Sequence, residues 1–338
     1  MADLSTNYLG LKLKNPIIAG SSNLSVDIKN IKAMEEAGIG AIVYKSLFEE
    51  QVNFESADLD EDLQLYNDRH AEMIKIHPEM EHAGPKEFLL QLKKIKENTS
   101  VPLIASINAI YEETWVEYAK LIEETGVDAL EINLYKSLKK SEDKGVDIEK
   151  HKLDIIKLVK KSIKIPVAVK LGSFYSNLLN FISEVDKTGV EGLVLFNKLF
   201  EPEIDVNREE HIFPFNLSNK GDHRLPLRYA GLLHGNVKAD ICSSSGIFDG
   251  DDAIKMLLAG ADAVQVVSTL YKNKIGHIKN IVGRLEEWMD SKGYNSIEEF
   301  RGKLSKKNTN DPFVYMRGQY VDILLNSADK LLKKNPVI

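Results

Sequence analysis

A unit made of a helix end, a glycine and a short apolar run recurs four times along the chain. The copies span residues 35–46, 123–134, 186–197 and 257–268. Glycine suits the left-handed residue that closes a helix. The run that follows it is apolar on both faces, which is typical of a parallel strand covered by helices. The repeat therefore predicts parallel strands that alternate with helices.

Four further strand candidates lie between these units. They are Pro16–Gly20, Pro102–Ser106, Pro166–Lys170 and Ala239–Cys242, and helical patterns cover 86–98, 114–125, 148–162 and 249–259. Proline suits the first residue of a strand, where no ladder donor is needed. Eight strands alternating with helices favour a TIM (β/α)₈ barrel, an α/β fold. The competing open doubly wound sheet usually has fewer strands, and no Gly-x-Gly-x-x-Gly motif follows the first strand here.

Two stretches exceed what a minimal barrel needs. Residues 48–85 follow the second strand, and residues 198–226 follow the sixth, so both are expected over the C-terminal face of the barrel. Loops of this length usually serve as lids or binding arms. The alternative is decoration or a contact between subunits.

Composition excludes several classes of protein. The 338 residues carry a net charge of -7, which argues against a general nucleic-acid binder. The single cysteine permits no internal disulfide and no cysteine-ligated iron–sulfur cluster, and it fits a reducing cytoplasm. We find no signal-peptide pattern and no apolar run long enough to span a membrane, and we predict no metal site.

Lysines, amides and hydroxyls cluster at the predicted C-terminal strand ends, where barrel enzymes perform chemistry. In chain order the ends carry Ser21 and Ser22, Lys45 and Ser46, Ser106 and Asn108, Asn133, Lys170, Asn197 and Lys198, Ser243–Gly246, and Ser268 and Thr269. Several lysines in one ring require an electron-rich partner, because uncompensated buried charge is costly. A phosphate, or a flavin with its phosphate, would supply it. The alternative is that each lysine extends into solvent.

The last two strand ends indicate a phosphate site. Ser243–Ile247 precedes a helical pattern, and Ser268 and Thr269 follow the eighth strand. A phosphate site formed by the loops after strands seven and eight recurs in this fold. A serine-rich turn that caps a helix is the alternative.

These residues resemble the soluble, FMN-dependent dihydroorotate dehydrogenase family. The segments that carry the likeness are 9–22, which is similar to the family's opening hairpin and first strand, 43–46, 167–171 and 285–304. The likeness extends from about residue 4 to 305. We therefore expect a single barrel domain over 1–305 and a C-terminal extension over 306–338.

The resemblance implies FMN at the barrel mouth. Ser21 and Ser22 would lie near the flavin ring, and Lys45, Asn133 and Lys170 would bond its polar edge. Gly246, Ser244, Ser245, Ser268 and Thr269 would hold the phosphate. Asn197, together with Lys45 and Asn133, would contact the substrate. In the family, one substrate carbon loses a proton to a base while its neighbour gives a hydride to the flavin.

The chain departs from the family after the fourth strand. The family carries Asn-Leu-Ser-Cys-Pro-Asn there, or serine in place of the cysteine, and that residue is the base. Here the segment reads Asn133-Leu-Tyr-Lys-Ser-Leu138, so Lys136 takes the base position. Tyr135 and Ser137 are alternative proton carriers, Lys45 is a further catalytic candidate, and Lys136 could instead fix a substrate carboxylate. It also remains open that the base lies elsewhere, for example in 48–85.

Three functions follow as hypotheses. The first is an FMN-dependent oxidoreductase of the dihydroorotate dehydrogenase type, acting on a dihydropyrimidine or related carbonyl compound. The second is a lysine-dependent aldolase or a phosphate-ligand isomerase, and the third is a non-catalytic flavin-binding protein. The resemblance also implies a homodimer that binds a small molecule, while composition favours a cytoplasmic protein that binds neither nucleic acid nor membrane.

Overall fold

Eight parallel strands close into a barrel in the computed structural model, which describes residues 2–49, 85–109, 111–134, 141–198, 202–212 and 217–325. The strands in chain order are β1 (Thr6–Tyr8), β2 (Leu11–Leu13), β3 (Ile17–Ala19), β4 (Ala41–Val43), β5 (Leu47–Phe48), β6 (Leu103–Asn108), β7 (Ala129–Asn133), β8 (Val167–Leu171), β9 (Gly192–Leu195), β10 (Glu203–Asp205), β11 (Glu210–Ile212), β12 (Asp240–Ser244) and β13 (Ala263–Val266). The barrel order is β3, β4, β6, β7, β8, β9, β12 and β13, and the β13–β3 pairing closes it. The predicted (β/α)₈ barrel and its eight strands are confirmed.

Helices follow the strands around the outside of the barrel. They are α1 (Ile28–Glu36), α2 (Lys86–Asn98), α3 (Glu112–Glu123), α4 (Gly145–Ser162), α5 (Leu178–Asp186), α6 (Arg224–Leu233), α7 (Gly250–Ala259), α8 (Ser268–Asn273), α9 (His277–Lys292) and α10 (Arg317–Leu325). The glycines of the repeated unit, Gly38, Gly126, Gly189 and Gly260, all have positive φ angles between 82° and 120°. They end helices where a side chain would be strained, as the repeat predicts.

The N-terminal hairpin closes the bottom of the barrel. β1 and β2 pair antiparallel, and Tyr8 and Leu9 are buried with the small inward residues of the barrel strands. Leu9 donates its backbone N–H to Asp240 Oδ2 at 2.8 Å. A Cβ at Gly192 would lie 2.4 Å from Leu9 Cδ2, so β9 needs glycine where the hairpin enters. The barrel is therefore filled from below, and a cavity can form only at the C-terminal strand ends.

The two long loops are described in part. Nearly all of 48–85 lies outside the described residues. In 198–226 the antiparallel pair β10–β11 is exposed, while Ser218 is buried. The interpretation of these loops as lids or arms stays a prediction.

The start of the predicted C-terminal extension packs on α6. Tyr315 donates its hydroxyl to the Leu304 carbonyl at 2.7 Å, and its ring fills the space beside Gly231. Arg228 donates to the Tyr315 carbonyl at 3.0 Å. The boundary at residue 305 stays a prediction. Among the described residues, none of the helices has the length and apolar character needed to cross a membrane.

His234 makes the fold sensitive to acid. Its ring packs between Gly260 and Gly302, and Nδ1 lies 3.2 Å from the Gly260 carbonyl. Burial lowers the pKa of His234 below its usual 6.5, and nearby Arg301 and Lys307 act in the same direction. Because the folded pKa is depressed, this contribution to stability is present above about pH 6.5 and is lost as pH falls through the folded pKa.

We therefore expect the melting temperature of H234Q to fall less between pH 7.5 and 5.5 than that of the wild-type protein. Thermal unfolding monitored by circular dichroism at several pH values measures this. The control is H211Q, because His211 is exposed on β11. Parallel pH curves for the wild-type protein and H234Q would contradict the assignment.

Candidate active site

Strand alternation determines which side chains face the barrel interior. On β7, Ala129 lies in the lower interior cluster, so Glu131 and Asn133 follow it on the same face. By the same count Lys170 follows Ala168 on β8, and Gln265 follows Ala263 on β13. Polar side chains thus lie directly above a layer of apolar side chains at the bottom of the barrel.

A cavity of about 480 Å³ opens above this layer. Its lining is Ser21, Ser22, Asn23, Lys45, Ser46, Phe48, Asn133, Lys170, Asn197, Lys198, Leu217, Ser218, Ser244, Ser245, Gly246, Ile247, Gln265, Val267, Ser268 and Tyr271. The structure thus brings together every predicted cofactor and substrate residue except Thr269. The Thr269 hydroxyl is buried and donates to the Phe248 carbonyl at 2.9 Å, so it supports the loop instead. Tyr135, Lys136 and Ser137 lie outside the described residues.

Three buried side chains form a closed triangle at the cavity floor. Lys170 Nζ lies 3.4 Å from Glu131 Oε1 and donates to Gln265 Oε1 at 3.2 Å. Gln265 Nε2 donates to Glu131 Oε2 at 2.6 Å. For Lys170, the electron-rich partner that the sequence argument requires is therefore Glu131 within the protein, and not the phosphate or flavin that the argument proposed.

A chain of hydroxyl groups runs along one wall. Ser21 Oγ lies 3.1 Å from Ser46 Oγ and accepts the Ser46 backbone N–H at 2.9 Å. Ser46 Oγ lies 2.6 Å from Ser106 Oγ. These bonds fix the loops after β3 and β4 against β6.

Two amides meet on another wall. Asn197 Nδ2 donates to Asn133 Oδ1 at 3.1 Å, which joins the ends of β9 and β7. This bond leaves the Asn133 amide nitrogen and the Asn197 amide oxygen as a donor and an acceptor for further bonds. The pair can therefore bind a planar group that carries both functions.

The loop after β12 has the shape of an anion cradle. Ser245 and Gly246 both have positive φ angles, 81° and 74°. A Cβ at Gly246 would lie 2.2 Å from the His223 backbone nitrogen, so only glycine fits there. Ser218 Oγ accepts the Gly246 N–H at 3.1 Å and lies 2.8 Å from Ser268 Oγ. Successive backbone N–H groups in such a turn form a concavity that suits a phosphate.

Lys198 lies at the rim of the cavity. Its ammonium lies 3.1 Å from Asp222 Oδ2. Burial raises the pKa of Asp222, but the Asn219 backbone N–H and Lys198 outweigh it and hold the pKa below its usual range. The partly exposed Lys198 adds a cation to the mouth of the cavity.

Sequence reasoning missed Glu131, Gln265 and Ser218. Glu131 lies two residues before Asn133, so strand period alone places it on the same inward face. Gln265 is a polar residue within the otherwise apolar run of the fourth repeated unit, and a polar residue inside a predicted buried strand is also a sign of a functional position. Ser218 lies in a long loop, where no periodicity points to it.

A family model described as dihydroorotate dehydrogenase matches residues 67–289, which is more than half of the chain. The chain belongs to the dihydroorotate dehydrogenase family. The resemblance predicted from the sequence is thereby confirmed. As a member, the chain is a dihydroorotate dehydrogenase-like oxidoreductase, of the class that acts on CH–CH bonds, and the family is flavin-dependent in general.

Curated relatives of the dihydroorotate dehydrogenase family align along most of the chain. A putative dihydroorotate dehydrogenase A (fumarate) of Aeropyrum pernix is 28% identical over 306 residues, 89% of this chain and 97% of the relative. The catalytic subunit of a dihydroorotate dehydrogenase B (NAD(+)) of Thermoplasma volcanium is 28% identical over 315 residues, 91% of this chain and 100% of the relative. The corresponding subunit of Methanocaldococcus jannaschii is 27% identical over 309 residues, 88% of this chain and 97% of the relative.

Proposed function

We propose that the chain is an FMN-dependent oxidoreductase that oxidises a dihydropyrimidine or a closely related cyclic carbonyl compound. The observation that supports the proposal is a single cavity with two parts. Its floor carries the Lys170 ammonium and side-chain amides, and the adjacent Gly246 loop has a shape that suits a phosphate. Phosphate and ring would thus be held by opposite ends of the same site.

The residues present fit FMN. Lys170, Gln265 and Asn133 offer donors and acceptors to the polar edge of a flavin ring, and Ser21 and Ser22 border the same space. Ser244, Ser245, Gly246 and Ser268 border the space for a phosphate, and Ser218, which the sequence did not indicate, bonds to Gly246 and Ser268 and supports this loop. FMN, when bound, supplies a two-electron acceptor for a hydride. A lysine ammonium beside the ring stabilises negative charge that develops there.

The remaining residues would bind and orient the substrate. The Asn133–Asn197 pair presents complementary amide groups, as a pyrimidine edge requires. Lys45 and Lys198 would hold an anionic substituent at the mouth, where both line the cavity. Lys136, Tyr135 and Ser137 stay the predicted candidates for proton transfer. A homodimer in the cytoplasm also stays a prediction.

The aldolase alternative has less support. A lysine that forms a Schiff base must be free to attack the substrate carbonyl, whereas Lys170 Nζ is engaged by Glu131 at 3.4 Å and by Gln265 at 3.2 Å. Borohydride trapping with carbonyl substrates, followed by peptide mass mapping, tests Lys45, Lys136 and Lys170 together. An adduct at any of these lysines would favour the aldolase.

The deciding experiment is an absorbance titration of the purified protein with FMN and then with orotate. We expect a flavin spectrum, and a further spectral change on addition of orotate because a ligand over the ring alters its surroundings. Anaerobic dihydroorotate should bleach the flavin slowly, because the usual base is replaced. A colourless protein that gains no flavin spectrum with FMN would overturn the proposal.

The K136A variant tests the predicted base. If Lys136 transfers the proton, bleaching by a dihydropyrimidine should slow by about 100-fold or more, within the usual range for general acid–base catalysis. The matched control is K144A, which changes a lysine at the start of α4. Equal bleaching rates in K136A and the wild-type protein would show that the base lies elsewhere.

A further inference from the structure

A buried carboxylate lies directly beneath the cavity. Glu131 has 1% of its surface exposed and, unlike Lys170 and Gln265, does not line the cavity. It therefore cannot contact a bound ligand through open space. Any effect that it has on the site must pass through the side chains above it.

Glu131 is bonded to both residues that form the floor. Gln265 Nε2 donates to Oε2 at 2.6 Å, and Lys170 Nζ lies 3.4 Å from Oε1. Oε1 has no hydrogen-bond partner among the described residues, so the ammonium of Lys170 is its near electrostatic partner there. Below the carboxylate lie Tyr8 and Cys242, which are buried and carry no charge in their protonated forms. The floor thus holds one negative and one positive charge.

We propose that Glu131 is a positioning residue that orients Lys170, neutralises its charge and thereby lowers the reduction potential of the bound flavin. The inference rests on the proposed function for the presence of FMN. With Glu131 ionised, the floor adds little net charge to the site. Without it, the full charge of Lys170 would act on the ring and favour its reduced, anionic form.

Glutamate and glutamine have the same shape, which allows a charge exchange within the triangle. E131Q removes the negative charge, and the double variant E131Q/Q265E restores the original net charge from the other side of Lys170. Q265E alone would place two carboxylate oxygens about 2.6 Å apart, so the two groups would share one proton and the net charge would stay near that of the wild-type protein. A purely structural role predicts changes without regard to charge. The electrostatic role predicts a shift in E131Q, with Q265E and the double variant close to the wild-type protein.

The experiment is an equilibrium photoreduction of each FMN-bound protein against a reference dye at pH 7.5. We expect E131Q to shift the two-electron equilibrium toward reduced flavin by about tenfold, or about 30 mV, and Q265E to shift it by less than about threefold. The double variant should lie within about threefold of the wild-type protein. If E131Q binds no FMN, the double variant decides, because restored charge should restore both FMN binding and the wild-type potential. No shift in E131Q, a shift of E131Q toward oxidised flavin, or a double variant that behaves like E131Q would overturn the proposal.

The same variants without flavin separate this proposal from the proposed function. In the apoprotein each single variant should lower the urea midpoint, and the double variant should recover most of the loss. A wild-type protein that takes up no FMN would overturn the proposed function and the potential-setting role together. The urea midpoints would then still show whether Glu131 and Lys170 form the ion pair.

Discussion

Replacing Gly246 by alanine is expected to weaken FMN binding by about 100-fold while the barrel still folds. The φ angle of +74° costs an alanine about 1–2 kcal/mol. Its Cβ would also lie 2.2 Å from the His223 backbone nitrogen and 2.7 Å from the Asp222 carbonyl carbon. Because both neighbours are backbone atoms, the loop after β12 must move away from the segment that carries Ser218, and the phosphate cradle opens. We expect a total cost of about 3 kcal/mol, which is about 100-fold in Kd if it falls on binding.

A fluorescence titration of FMN against the G246A protein measures the loss. The matched control is G172A, a glycine just beyond β8 whose added Cβ would meet nothing within 4 Å. The G172A protein should bind FMN within a few-fold of wild type. If G246A bound FMN as tightly as G172A, the cradle would not be the phosphate site.

Replacing Lys170 by methionine is expected to destabilise the protein more than any other change at the cavity. The variant leaves Glu131, which is 1% exposed, without its cation. Removing one partner of a buried ion pair typically costs about 3–5 kcal/mol. Gln265 also loses the donor at 3.2 Å from its amide oxygen, so the triangle opens on two sides.

Urea unfolding of the apoprotein at pH 7.5 measures this cost without any assumption about the ligand. K45M is the matched control, because Lys45 lines the same cavity but is only partly buried. We expect its cost to stay below about 1 kcal/mol. In the K170M background, a second change E131Q should restore stability, because it removes the unpaired charge. Equal unfolding midpoints for K170M and K45M would contradict the buried ion pair.

Much of the fold could be predicted because it depends on local patterns. Gly126 ends a helix and Ala129–Asn133 follows as a strand, and residues 123–134 alone contain the pattern that predicts both. The same period places Asn133 and Lys170 at the C-terminal ends of neighbouring strands. Because the C-terminal ends of parallel strands lie at the same end of the barrel, these positions predict which side chains surround the barrel mouth.

The chemistry of the floor could not be predicted because it depends on distant pairs. Gln265 bonds to Glu131 across 134 residues and to Lys170 across 95. The sequence around Glu131, Lys170 or Gln265 does not indicate that these three side chains meet in the barrel interior. The role of Ser218 was missed for the same reason, because its partners Gly246 and Ser268 lie on later strands' loops.

The hairpin that fills the bottom of the barrel also sets an order of assembly. Leu9 is bonded to Asp240, 231 residues later, and Thr6 to the Asp262 carbonyl, 256 residues later. Residues 6–9 can therefore pack in place only after the segments that carry Asp240 and Asp262 have been synthesised. Contacts of such long sequence separation form slowly, because the loop they close must be ordered first. The apolar surface of Tyr8 and Leu9 stays uncovered during this interval, which leaves the hairpin open to non-native contacts until the barrel has formed.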